Sequence, residues 1–442
     1  QKSELKRVLG KWSLTAIGIG AIIGGGVFVL TGTAAHYHAG PALALSFVIA
    51  GIGCIFAALC YAEFAAMLPV EGSAYAYAYG TVGELFAWII GWGLILEYAM
   101  GAMTVAVSWS GYFNKLLHLF GLHLPENLTN DPVTFGGAAV NLPALIIVWF
   151  VTWILVKGIK EAASANNLIV VLKVAVILFV IIMGAFYIDV ANWTPFIPEE
   201  TLVEHESGEM LPAYGWGGII SGASAIFFAY IGFDAVSTQA GEAINPKKDM
   251  PFAIIASLLI CTVLYIAVSL VLTGMMNYKD ITGDALKAPV AFAFDQAGQP
   301  WAVFIITAAA TAGLLSVMLV MMLGQTRVFL GMAKDGLLPK FFAEVHPTFK
   351  TPYKSNIILF VLVGLFAAFV PGSVAGDLTS FGTLFAFVIV CAGIIVMRKK
   401  FPHLERPFKT PLVPLVPILG MGVCTFMIIA LDLTTLTVAG LW

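Results

Sequence analysis

An all-α, polytopic membrane protein is the fold class this sequence predicts, and three observations carry the prediction. Of its 442 residues 60% are hydrophobic and only 11% are charged, with mean hydropathy +0.95; a soluble domain carries about 25% charged residues. Between Lys11 and Glu63 there is no Asp, Glu, Lys or Arg. Lys and Arg elsewhere collect in alternate loops, as the positive-inside rule requires.

The charge-free stretch is divided by Gly40-Pro41 into two segments, each longer than the roughly 20 residues that cross a bilayer. Continuing by hydropathy, eleven spans are predicted near 13–36, 42–68, 85–112, 141–158, 164–187, 215–240, 252–276, 300–326, 355–370, 378–397 and 411–436. Glu4, Lys6 and Arg7 precede span one, and no small-residue cleavage site follows it, so it is expected to be an uncleaved span. The loops between spans are too short for a separate domain, and 1–442 is read as one transmembrane domain.

With the N-terminus inside, the inner segments hold Lys2, Lys6, Arg7, Lys11, Lys157, Lys160, Lys247 and Lys248. Arg327, Lys334, Lys340, Lys350, Lys354, Arg398, Lys399, Lys400, Arg406 and Lys409 follow in the later inner loops, giving eighteen of the 22 basic residues. This bias predicts a cytoplasmic N-terminus in the cell membrane. The net charge of -3 does not bear on nucleic acid, but the basic residues gather at membrane edges, and a nucleic-acid role is rejected. Cys54, Cys60, Cys261, Cys391 and Cys424 all fall inside spans without metal-ligand spacing and read as small buried apolar residues. His36 and His38 read as ordinary outer-loop histidines, and the acidic loop with Glu199, Glu200, Glu204, Glu206 and Glu209 as solvated. HExxH, GxSxG and P-loop patterns are missing, so neither an enzyme nor a built-in ATPase is expected.

Two spans are broken by glycine. Span one carries Gly18-Ile19-Gly20-Ala21-Ile22-Ile23-Gly24-Gly25-Gly26-Val27-Phe28, and span six carries Phe228-Ala229-Tyr230-Ile231-Gly232-Phe233-Asp234. Backbone freed inside a membrane needs a partner, and an ion or zwitterion is one. A half-helix beginning near Val27 would aim its N–H groups at a carboxylate; the alternative is a small-residue packing face, since Gly20 and Gly24 also form a GxxxG spacing. In span six the carbonyls near Phe228 would accept an ammonium group, or the aromatic residues would simply pack. Asp234 would orient the unwound segment or bind a cation. The breaks lie five spans apart, which predicts two inverted five-span repeats, about 13–187 and 215–397, with 411–436 as an extra span.

Lys173 is the only base within a span, and its burial is costly. It is expected either to be held by backbone carbonyls as a fixed cation or to exchange a proton during transport. Glu97 in span three would receive a cationic side chain or bond to neighbouring polar groups. Glu63 and Asp432, near span ends, read as bland. Met318, Met321 and Met322 form a helical stripe that would be packing or pocket wall.

Ile22-Ile23-Gly24-Gly25-Gly26-Val27-Phe28 resembles the first-span signature of the amino acid-polyamine-organocation superfamily. Tyr61-Ala62-Glu63-Phe64 with Pro69 and Gly72-Ser73-Ala74-Tyr75-Ala76-Tyr77 looks like its stretch after span two, and Phe228 to Asp234 like its broken sixth span. Glu242-Ala243-Ile244-Asn245-Pro246-Lys247 with Pro251, Gln325-Thr326-Arg327, and Met332-Ala333-Lys334-Asp335-Gly336-Leu337-Leu338-Pro339 are similar to its later inner loops. Trp92 to Tyr98 suggests the cationic amino acid transporter branch and its bacterial relatives.

The resemblance implies a leucine-transporter-type fold working by alternating access. By motif, Gly24, Gly25 and Gly26 would bind the substrate carboxylate, and Phe228, Ala229 and Ile231 would offer carbonyls to its amino group. Phe228 would be the gate, Glu97 would face the side chain, and Ile22, Ile23, Gly232 and Met321 would complete the site. Lys173 would stand where sodium-driven members hold their cation, which argues for proton coupling or for exchange without an ion. Members commonly carry more spans than eleven. Glu97 suggests cationic substrates, whereas the methionines of span eight favour small neutral ones such as alanine. The expectation is a proton-coupled L-amino acid importer, with an exchanger or a non-transporting sensor or accessory subunit as alternatives. No cofactor is expected beyond the coupling proton. The expected partners are the amino acid and membrane lipids; a small accessory membrane subunit is left open.

Overall fold

Each of the eleven predicted spans meets helix in the computed structural model, which describes residues 7–24, 26–68, 72–132, 137–204, 210–282, 284–370, 372–429 and 433–441, so that residues 430–432 of the eleventh lie outside it. Lys2, Glu4, Lys6, Gly25, Pro69, Glu206, Glu209 and Asp432 lie outside the described residues. Among the described residues, seven helices are each long and apolar enough to cross a membrane, and three shorter apolar ones lie at Leu142–Lys157, Tyr353–Phe369 and Leu415–Ile429. The chain is an integral membrane protein.

Span one is two pieces. Its first helix, Lys11–Ile22, ends on extended backbone at Ile23 (φ -75, ψ 104), and helix resumes at Gly26. It continues to Ala39 as π-type turns at Gly26–Leu30 and Ala35–Ala39 on either side of α-helix Thr31–Ala34, and Gly40 at φ +58 and Pro41 then turn the chain into span two, Leu43–Met67. Gly40 takes a left-handed conformation that a side chain resists. Span six is also broken. Helix Gly215–Ile226 tightens into a 3-10 helix at Phe227–Tyr230, then Ile231 is extended and Gly232 adopts φ +124 before 3-10 helix resumes over Phe233–Glu242.

The remaining spans are Glu84–Leu119, Leu142–Lys157, Ile159–Ala185, Pro246–Met275, Pro300–Lys334, Tyr353–Phe369, Gly372–Lys400 and Leu415–Ile429, the last followed by Leu433–Leu441. Spans three and eight run several residues past their predicted ends, because hydropathy loses a helix where polar residues begin. The acidic loop contains a short antiparallel hairpin, Thr201–Glu204 against Met210–Ala213, which hydropathy does not register.

Contacts along span one fix the relative direction of its neighbours. Span five rises with it: Asn166 reaches the Ala16 carbonyl and Lys173 the Gly20 carbonyl. Span seven does the same, with Ser257 against Gly18 and Tyr265 bonded to Ile22. Span six runs the other way, because Ala21 faces Gly232 while Gly26, further along, faces Ala229. Spans five and seven therefore run parallel to span one, and span six antiparallel to it.

The face bearing most Lys and Arg, here called the basic face, is tied shut. Val8 and Leu9 donate backbone N–H groups to the Glu242 carbonyl at 3.0 Å each, and Ile244 donates to Leu9. The Glu242 carboxylate receives Arg327 of span eight at 2.6 and 3.2 Å, with both side chains buried. Tyr75 donates to Asp335 at 2.8 Å, and burial together with that carboxylate pushes the Tyr75 phenol up. Glu63 is not bland. It is buried and receives Arg398 at 2.8 and 3.0 Å and the Thr410 N–H at 2.7 Å, with Arg406 3.3 Å away, so the segment before span eleven is fastened to span two. The lateral surface is apolar, with Trp149, Trp153, Leu168, Val171 and Ile182 exposed, as a bilayer solvent permits.

Candidate functional site

Each break frees backbone groups, and the two breaks touch. A Cβ built on Gly26 would strike Ala229, reaching its Cα at 2.6 Å; one built on Gly232 would lie 2.6 Å from the Ala21 Cβ and 2.9 Å from its carbonyl carbon. The contact is reciprocal, glycine to alanine in both directions. Packing and unwinding, separated as alternatives at the sequence level, are thus both true here: the glycines unwind the helices and also let them meet.

Ile22, Ile23, Gly24 and Gly26 lie at the span-one break, opposite Ala229 and Gly232, while Gly25 falls outside the described residues. The Phe228 carbonyl accepts the Ile231 N–H at 3.2 Å within the turn, which leaves its second lone pair for another donor. The Phe228 ring is half-buried, unlike its buried neighbours Phe227, Ala229 and Tyr230. Val317 of span eight meets Gly24, and Met321, one turn further, is buried with its Sδ 3.8 Å from a Cβ built on Gly101 of span three. Val317 and Met321 therefore present one face of span eight to spans one and three.

Lys173 is fully buried and its Nζ donates to the Gly20 carbonyl at 2.8 Å. In an unbroken helix that carbonyl would accept from residue 24; the break removes this partner and the lysine replaces it. Beside it Ser316 of span eight donates to Asn166 Oδ1 at 2.6 Å, and Asn166 donates to the Ala16 carbonyl at 3.1 Å. Spans five and eight thus grip the first half of span one through polar side chains.

Glu97 lies in a π-helical bulge at Leu96–Met100, a distortion common at functional sites. It is fully buried beside Asp234 and Thr383. Asp234, two residues past Gly232, accepts the Tyr98 hydroxyl at 2.5 Å. Glu97 is thus brought against span six beyond its break.

Tyr265 of span seven is the residue that sequence reasoning missed. Its hydroxyl lies 2.7 Å from the Ile22 carbonyl and 3.0 Å from that of Ala229, bridging the two breaks. A tyrosine in an apolar helix carries no signal by itself; only the fold sets it against two freed carbonyls. His36 and His38 also differ from expectation. They sit in the last turns of span one, His36 Nδ1 3.0 Å from the Tyr278 carbonyl and His38 Nδ1 3.0 Å from Ser221 Oγ.

The family model described as amino acid permease matches residues 9–435, spanning both breaks and the extra span. The chain belongs to the amino acid permease family. It is 46% identical over 443 residues to the branched-chain amino acid permease BcaP of Bacillus subtilis (strain 168), covering 100% of this chain and 91% of that protein. It is 44% identical over 432 residues to the methylthioribose transporter of the same strain, covering 98% and 90%. Cationic amino acid transporter 4, vacuolar, of Arabidopsis thaliana is 37% identical over 397 residues, 89% of this chain and 64% of that protein. The fold is that of an amino acid-polyamine-organocation transporter, and the protein is a transporter, not an enzyme.

Proposed function

We propose that this permease imports L-amino acids with small or branched neutral side chains, coupled to proton entry, across the cell membrane with its basic face in the cytoplasm. The observation that carries the reading is the face-to-face meeting of the two breaks. Span one offers N–H groups at the start of a half-helix to a carboxylate, and span six offers carbonyls to an ammonium. The ammonium would join Tyr265 at the Ala229 carbonyl, since a carbonyl oxygen has two lone pairs. Val317 and Met321 favour a short apolar side chain, and Glu97, already set against Asp234, leaves the cationic reading weaker. Repeats of about 13–187 and 215–397 would rock against each other around this point.

Coupling is assigned to Lys173. A charge that holds the Gly20 carbonyl in one conformation and loses its proton in another biases the first half of span one, and a ligand drives such a change only through differential affinity. Reconstituted uptake of labelled alanine, leucine and arginine, with and without an inward proton gradient, tests the reading. Gradient-dependent accumulation of alanine or leucine is expected. Arginine alone, or uptake indifferent to the gradient, counts against it, the latter pointing to exchange. Because one relative is named for methylthioribose, that sugar belongs in the same screen.

A further inference from the structure

Past the span-six break the Glu97–Asp234 pair continues into a buried polar file whose further members the site above does not use. It begins at Glu97 and Asp234, whose carboxyl groups sit side by side, with Tyr98 donating to Asp234 Oδ2. Tyr61 of span two faces both carboxyl groups and comes up to Ser73. Ser237, one turn past Asp234, bonds to the Asp234 carbonyl at 2.6 Å and to Ser73 Oγ at 2.9 Å. Tyr77, in the helix Ala74–Thr81, comes up to Ser237.

These groups are buried, and Phe64, Phe233 and Phe387 jacket them: Phe64 stacks on Tyr77 at 4.9 Å, and Phe233 and Phe387 lie edge-on to Tyr61 at 6.0 and 5.5 Å. Yet both Glu97 oxygens, Asp234 Oδ1, Tyr61 Oη and Tyr77 Oη make no well-formed hydrogen bond among the described residues, although Glu97 approaches Asp234 and Thr383, Tyr61 approaches Ser73 and Tyr77 approaches Ser237. So many unpartnered polar atoms in one enclosed patch are what ordered water satisfies. The file leads from beside the span-six break towards Ser73 and Tyr77, at the head of the short helix whose Tyr75 holds Asp335 on the basic face.

We propose that Glu97, Asp234, Tyr61, Ser73, Ser237 and Tyr77, with bridging water, form a proton path between the substrate site and the basic face. A carboxyl O–H gives its proton to a neighbouring water or hydroxyl oxygen, which releases one of its own to the next, so no phenol keeps a charge. The titratable groups around the carboxyl pair are Tyr98 of span three, Tyr61 of span two and Tyr77, none of them a cation. The path rests on the reading that transport is proton-coupled: Lys173 biases span one through the Gly20 carbonyl, and the file carries the proton between the substrate site and the basic face.

The test uses proteoliposomes loaded with a pH-sensitive dye and a labelled mixture of L-alanine, L-leucine and L-arginine. Tyr61→Phe, Ser237→Ala and the double variant Tyr61→Phe/Tyr77→Phe keep the packing and remove hydroxyls. The expected result is counterflow within twofold of wild type, with substrate-driven proton entry reduced tenfold or more in the double variant and severalfold in each single one. Counterflow here doubles as the measure of folding. Unchanged proton entry in the double variant overturns the path, as does a parallel fall of counterflow and proton entry in all three. Wild type that counterflows substrate without moving protons overturns the coupling reading and the path with it.

Discussion

Substituting Gly26 by alanine places a methyl carbon where Ala229 already stands. The new Cβ would lie 2.6 Å from the Ala229 Cα, whereas carbon atoms rest about 3.5–4.0 Å apart. The opposing atom is backbone, so no rotamer change relieves the clash, and the two broken segments must part by about 1 Å. Overpacking of this kind costs about 1–3 kcal/mol, equivalent to about 5–150-fold in an equilibrium constant. Because the separation falls between the groups assigned to the substrate's carboxylate and ammonium, substrate affinity should carry most of that loss. Calorimetry on purified protein and counterflow in proteoliposomes measure it. Gly111→Ala is the control: it makes the same change in span three, where a Cβ meets nothing within 4 Å, and should alter neither readout. Affinity within twofold of wild type in Gly26→Ala would refute the reasoning, since the breaks could not then be in contact around the substrate.

Lys173→Ala removes the donor to the Gly20 carbonyl and should reduce gradient-driven accumulation at least tenfold; unchanged pH-dependent uptake would sink the coupling assignment. Tyr265→Phe leaves the Ile22 and Ala229 carbonyls without their shared hydroxyl and should weaken substrate affinity or turnover by about tenfold, roughly 1.4 kcal/mol, measured as initial uptake rates over a concentration series. Arg327→Leu strands the buried Glu242 carboxylate and should destabilise the protein by about 3–5 kcal/mol, whereas Glu242→Leu/Arg327→Leu should recover much of the loss in thermal unfolding; a double variant no more stable than the single one argues against the pair. Met321→Ala should admit longer side chains in a competition assay, and an unaltered substrate profile would remove Met321 from the pocket wall.

Much of this molecule is legible in sequence because a bilayer admits few solutions. Apolar length gives the spans, basic residues give the alternation, and Gly24 to Gly26 mark the stronger break. Ile231-Gly232 is a weak mark by itself, and it becomes a break through Gly232 at φ +124. Lys173 stands out because a lone base among apolar residues must have a partner. What hydropathy does not convey is who meets whom. Tyr265 is unremarkable until span seven sets it against the freed carbonyls, and Glu63 is read as bland because Arg398 and Arg406 lie more than 330 positions away. Glu97 and Asp234 are each conspicuous, but their adjacency depends on how span three packs on span six.

The central claim is that one amino acid is held across the two breaks. The most direct measurement is a structure of the protein with labelled-assay substrate bound, alanine or leucine. The account predicts the carboxylate within hydrogen-bond reach of the N–H groups at Gly24 to Gly26, and the ammonium within reach of the carbonyls between Phe228 and Ile231. A substrate found away from both breaks, or with its ends reversed, would contradict it.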